Sequence, residues 1–168
     1  MRLVLTFIFG AVLLIGCSAG PGRDKMLRSY ALDDIDGLEV TPYAVFDSMV
    51  SYDGHGSIRI TTDSTVSVPL LVVNDLHLDE TFLVYQAALR TQDITGKVYL
   101  EMWCGVDGAE YFSRDLGSPL SGSNDWAIES TPFRLEKGQV SELIRLNLVV
   151  EGGGTVWIDD IELLSSPL

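Results

Sequence analysis

The sequence predicts an all-β protein, a two-sheet antiparallel sandwich, on three observations. From Leu38 onward, short runs rich in Val, Ile, Leu, Thr and Tyr are punctuated by Gly, Asn, Asp or Pro at the spacing of strands and turns. Within the runs apolar residues alternate at period two, and no later segment carries a helical period or the helical alternation a parallel sheet needs. So many short strands in one open sheet would leave a face and both edges uncovered, so the chain must stack two layers. Its 168 residues, 46% hydrophobic and 21% charged, suffice for one domain with a real core. With 11 basic and 24 acidic residues, a formal charge of −13, the chain lacks the clustered positive charge that a nucleic-acid partner requires.

The first segment, residues 1–16, opens on Met1 and Arg2 and continues as the apolar run Leu3–Leu14, the pattern of a signal-sequence core. As a helix it rises roughly 18 Å, well short of the roughly 30 Å a membrane span must cross. Leu14-Ile15-Gly16-Cys17 follows directly. This motif resembles the lipobox of bacterial lipoproteins, which implies cleavage before Cys17, a diacylglyceryl thioether on its sulfur and often a third acyl chain on its amine. Two or three chains hold a protein to a bilayer effectively permanently, at about 0.8 kcal/mol per buried CH₂. Ser18 rather than Asp after the cysteine implies, by the same resemblance, sorting to an outer membrane where the cell has one. Cleavage removes one basic and no acidic residue, so the mature charge is −14 and attachment comes from lipid, not from a basic patch. Cys104 is then left without an intrachain partner, and the exported domain is stable by packing alone.

Residues 17–37 mix Gly, Pro, Ser and charge, and are expected to form the lipidated N-terminus and a tether, with at most a helical turn on Met26, Leu27, Tyr30 and Ala31. Residues 38–168 are the sandwich, with strands expected near 38–41, 44–50, 56–62, 65–73, 82–90, 97–104, 109–114, 126–135, 141–151 and 155–164. Gly152-Gly153-Gly154 reads as a tight turn. Parity sends Leu83, Tyr85, Ala87 and Leu89 inward, and likewise Val98, Leu100, Met102 and Cys104, and Ile144, Leu146, Leu148 and Val150. Cys104 is therefore expected to be a buried, unreactive small hydrophobe. The opposite phase leaves Tyr99, Glu101 and Trp103 outward, widened by Gln86 and Arg90 on one neighbour and Arg145 and Asn147 on another if those strands share a sheet.

Three stretches, Gly54–Ile60, Ser123–Trp126 and Gly154–Leu163, resemble the β-jelly-roll carbohydrate-binding modules of the galactose-binding-like type, close to the family four and nine modules of glycanases. The resemblance spans about residues 38–164 and implies a jelly-roll sandwich. It also implies that Asp159 or Asp160 in the closing strand helps to bind a structural calcium, with Asp53 standing in for an aromatic-Glu pair that this sequence lacks. The parity changes at these aspartates, which points to a bulge or a buried carboxylate.

Two functions follow. Tyr99, Glu101 and Trp103 form a glycan platform, an indole offering a flat surface to a pyranose while amide, carboxylate and guanidinium groups pair with hydroxyls. Against this, the same aromatics lie under a loop or under the Trp126–Phe133 segment. The alternative function is an envelope protein-interaction or assembly domain, since Tyr, Trp and Arg anchor such patches equally well. An enzyme is not expected: the chain has no Gly-x-Ser-x-Gly elbow, no His-Glu-x-x-His helix and no phosphate-cradling loop. Its histidines are His55 and His77, and His77 with Asp79 reads as part of a polar turn rather than a metal site.

Overall fold

Period-two alternation becomes an antiparallel sandwich in the computed structural model, which describes residues 24–168 apart from Val40, His77 and Asp79. The signal segment, Cys17 with its lipobox, and the His77/Asp79 pair lie outside the described residues. Nine strands and no helix are present among those described: β1 (Lys25–Tyr30), β2 (Ala44–Asp47), β3 (Ser57–Thr62), β4 (Val66–Asn74), β5 (Thr81–Val106), β6 (Ala109–Arg114), β7 (Leu120–Leu135), β8 (Ser141–Val150) and β9 (Gly154–Ser166).

All pairings are antiparallel, and the long strand β5 belongs to both layers. Its first half, Thr81–Gln92, pairs with β9 on one side and β7 on the other, and β9 continues to β3, β2 and β1. Its second half, Val98–Val106, pairs with β8 and β6, and β8 continues to β4. The crossover falls where register shifts accumulate between Thr91 and Val98. Gly96 permits it, because a Cβ there would stand 2.2 Å from the Glu151 carbonyl oxygen.

The expected inward phases line the space between the layers: Leu83, Tyr85, Ala87 and Leu89 face Val98, Leu100, Met102 and Cys104, closed by Ile144, Leu146, Leu148 and Val150. Burial drives this arrangement at roughly 25 cal/mol per Å² of apolar surface. It pushes the Cys104 thiol up to about 12.

Two expectations are corrected. Residues 38–41 form no strand; Leu38, Glu39 and Thr41 belong to an irregular strap whose Glu39 N–H donates to the Leu70 carbonyl at 2.8 Å. The tether ends earlier than residue 37, because Lys25–Tyr30 is a strand paired with Ile161–Ser165. It packs Leu27 and Tyr30 against the core, whereas a free tether would leave that edge of β9 unpaired.

Candidate functional site

The outer face of the second layer carries the residues expected to form an open platform, and there the structure departs from the expectation. Register places Tyr99, Glu101 and Trp103 beside Val149, Asn147 and Arg145, so five of the seven expected residues do share a face. The face is closed at Tyr99 and Glu101, however, and half-buried at Trp103, Arg145 and Asn147. Tyr99 and Glu101 are only 5% and 3% exposed.

Glu101 is a hub for all four strands of this layer. Its carboxylate accepts from the Trp103 indole at 2.7 Å, the Asn147 amide at 3.0 Å, Ser67 Oγ at 3.4 Å and Arg114 Nε at 2.5 Å. Burial opposes its ionisation, but the bonds from Trp103, Asn147 and Arg114, with the Arg114 charge, prevail and hold it below the usual carboxylate range. Tyr99 gives its hydroxyl to Glu151 at 3.0 Å. Trp103 packs against Phe112 at 5.0 Å, with the Arg145 guanidinium 5.9 Å from its ring. The covering element is β6, which lays Phe112 beside Trp103 and Arg114 beside Glu101. It is neither a loop nor the Trp126–Phe133 segment.

Gln86 and Arg90 lie elsewhere, on the outer face of the first layer, because β5 changes layers between them and Tyr99. Gln86 donates to Glu162 at 2.6 Å. Arg90 is opposite Trp157, which is opposite Arg59, giving a row across β5, β9 and β3. The Arg90 guanidinium stands 5.7 Å from the Trp157 ring, and its one carboxylate neighbour among the described residues is Asp125 at 3.9 Å. Arg59 is instead held by Asp47 at 3.2 Å, which also accepts the Trp157 indole N–H at 3.0 Å. That indole bond, then the Met49 N–H and Arg59, keep the Asp47 carboxyl below its ordinary range.

At its β7 side the row meets an irregular edge. Thr91 pairs with Asn124 while Leu89 pairs with Ala127, so Arg90 lies opposite a bulge at Asp125 and Trp126. The bulge opens a cavity of about 250 Å³ lined by Arg90, Thr91, Gln92, Ser123, Asn124 and Asp125. The Tyr52 ring stands edge-on to Trp126 of this bulge at 5.8 Å.

Tyr52 belongs to the loop between β2 and β3, pinned by a buried carboxylate. Its backbone N–H donates to Asp159 Oδ2 at 2.8 Å, and Asp159 Oδ1 accepts from the Asp160 N–H at 3.0 Å. The parity change expected at these aspartates is a bulge, with Asp160 in the left-handed region at φ 46° and Asp159 fully buried. Burial, partly offset by the two N–H bonds and reinforced by the charges of Asp160 and Asp53, pushes Asp159 up to about 6. Gly56 ends the loop at φ 117°, where a Cβ would collide with the Phe46 ring at 2.4 Å.

Beside this bulge the carboxylates of Asp33 and Asp53 and the His55 ring bring ligand atoms within 4.8 Å of one another. Asp53 accepts from the His55 backbone N–H at 2.9 Å and meets its Nδ1 at 3.0 Å, which raises the imidazole and lowers the carboxyl relative to their ordinary values. Asp160 is raised by burial and then by the charges of Asp53, Glu162 and Asp33. Asp53 lies near enough for its charge to act on Asp159 and Asp160, and Asp33, which lies in the tether as read from sequence, acts on Asp160 as well.

All three stretches that carried the family resemblance, Gly54–Ile60, Ser123–Trp126 and Gly154–Leu163, contribute to this face of the first layer. Trp126, Tyr52 and Trp157 are the aromatic residues the parity argument did not select for the site. The Ser123–Trp126 stretch, read from sequence only as part of the family resemblance, lies at the bulge of this face.

No protein-family model matches the chain, and no curated protein matches it. Solved structures do. The CBM22-1 xylan-binding domain from Paenibacillus barcinonensis Xyn10C is similar with a TM-score of 0.62 at 11% identity, covering 86% of this chain and 96% of that one. A family 16 carbohydrate-binding module-2 is similar with a TM-score of 0.57 at 11% identity, covering 77% and 91%. A Stig cyclase from Fischerella sp. TAU is similar with a TM-score of 0.54 at 10% identity, covering 83% and 84%. At these identities the likeness is one of fold: the chain is an all-β sandwich of the architecture carbohydrate-binding modules use.

Proposed function

We propose that the chain is a membrane-anchored, non-catalytic carbohydrate-binding domain that takes a glycan on the outer face of its first layer. One observation carries it. Arg90, whose guanidinium stands over Trp157, also lines the polar cavity with Asn124 and Asp125, and Trp126, packed against Tyr52, is the next residue along β7, which sets aromatic rings and directed donors and acceptors side by side. Sugars need both, since their C–H faces are apolar and their hydroxyls demand paired hydrogen bonds. The xylan-binding neighbour is consistent with this role. Anchoring through lipidated Cys17, with outer-membrane sorting, rests on the sequence of residues 1–18.

A structural calcium is part of the proposal. Asp33 and Asp53 supply hard oxygen donors of the kind calcium takes, beside the His55 ring, and the charges of Asp53 and Asp33 act on the neighbouring Asp160, and that of Asp53 on Asp159, so these acids repel one another as they stand. Such an ion would fix the Tyr52 loop. Thermal unfolding with and without chelator tests it, with a lower midpoint expected in chelator; equal midpoints count against the ion.

A protein-interaction role is favoured by a different observation: Phe112 on β6 is 52% exposed and packs beside Trp103. A glycan array with wild type, Arg90→Ala and Phe112→Ala separates the two. Binding lost in Arg90→Ala alone supports the glycan face; no glycan bound, with an envelope partner lost in Phe112→Ala, supports the interaction role. For the anchor, wild type is expected in the detergent phase and Cys17→Ser in the aqueous phase or unprocessed.

A further inference from the structure

We infer that the glycan face and the lipid anchor stand at opposite poles of the domain, so that the ligand is a polymer presented away from the bilayer and not the headgroup of a lipid beside it. This rests on both the anchor and the glycan face proposed above. The chain enters the sandwich at Lys25, paired with Ser165, which is paired with Leu83. That row marks one pole, shared by Leu135 opposite Thr81 and by the C-terminal end of β9. Arg90 stands seven residues further along β5, about 23 Å at 3.3 Å per residue, and Gln92 and the cavity lie further still.

Lys25 lies eight residue steps after Cys17, with seven residues between them. Fully extended these steps reach at most about 28 Å, and as a flexible coil they average about 16 Å. So short a leash holds the Lys25 pole against the membrane and carries the cavity on the order of 40 Å above it. Laying the face on the bilayer would press Asp47, Asp125, Asp160 and Glu162, set against Arg59 and Arg90 of opposite sign, toward anionic lipid, with a mature chain of charge −14 behind them. Ligand attached at the far pole and lipid at the near one make the domain a link aligned with its own strands.

Orientation is measured on the full lipidated chain in phosphatidylethanolamine–phosphatidylglycerol vesicles carrying a headgroup nitroxide. A bimane is placed at Met26→Cys near the entry pole or at Asp63→Cys in the turn beyond β3; Cys104 is buried and stays unlabelled. Quenching is expected to be more than about twofold greater at position 26 than at 63. Equal or reversed quenching on vesicles that still carry the protein through flotation overturns the opposed poles and leaves the anchor standing. Flotation indistinguishable from that of Cys17→Ser overturns the anchor and this inference with it.

Discussion

Glu101 and Asp159 are both buried acids on outer faces, and they are settled in opposite ways. Glu101 has a guanidinium and three further donors; Asp159 has two backbone N–H groups and other carboxylates. Replacing Glu101 by Ala strands Arg114 and the Trp103 indole, and is expected to cost about 3 kcal/mol in denaturant unfolding. Asp159 behaves differently with pH. Its carboxyl titrates near 3.8 unfolded and near 6 folded, so between those values the fold keeps a proton that the unfolded chain has released. Stability is therefore fully present below pH 4 and is lost as pH rises through 6, by about 3 kcal/mol. The thermal midpoint in chelator should fall from pH 5 to pH 7.5, and Asp159→Asn should flatten most of that slope; an unchanged slope would contradict the assignment. Cys104, buried with its thiol pushed up to about 12, should resist thiol reagents until the protein unfolds. At this scale the inward phase was legible because each alternate position is apolar. The fate of Glu101 was not, since its partners Arg114, Asn147 and Ser67 come from three other strands whose order no local pattern encodes.

Among the elements, β3, β4, β6, β8 and β9 follow the runs read from sequence, β7 begins six residues ahead of its run, and two further exceptions have a physical reason. The runs at 82–90 and 97–104 are one strand, β5, because Gly96 allows the backbone to cross between layers against Glu151 without a break. The other exception is β1. Six residues, mostly exposed, with only Leu27 and Tyr30 against the core, give too weak a period to distinguish an edge strand from a linker. Only the unpaired edge of β9 demands it. Truncation through Tyr30 should therefore lower the unfolding midpoint and expose the Ile161–Ser165 edge, seen as self-association in size-exclusion chromatography. Unchanged stability and a monomeric profile would mean that β1 adds nothing to the fold.

For the molecule as a whole, the two layers have different outer faces: one is consolidated around Glu101, and the other carries Arg90 over the buried Trp157 and beside a polar cavity, with Tyr52 against Trp126. Strand parity could say which side chains leave the core but not which of two outer faces receives them, so Arg90 and Gln86 were joined in expectation to a platform on the wrong layer. The Ser123–Trp126 stretch, read only as part of the family resemblance, lies at a bulge of this layer, and bulges open surfaces. The account depends on the first-layer face being the one that binds. Isothermal titration of a glycan retained on the array, against wild type, Arg90→Ala, Trp126→Ala and Trp103→Ala, tests it directly. Affinity should fall at least about tenfold in each of the first two variants, the loss of a stacked ring or a directed donor pair, and stay near wild type in Trp103→Ala. Loss in Trp103→Ala with binding kept in Arg90→Ala and Trp126→Ala would contradict it.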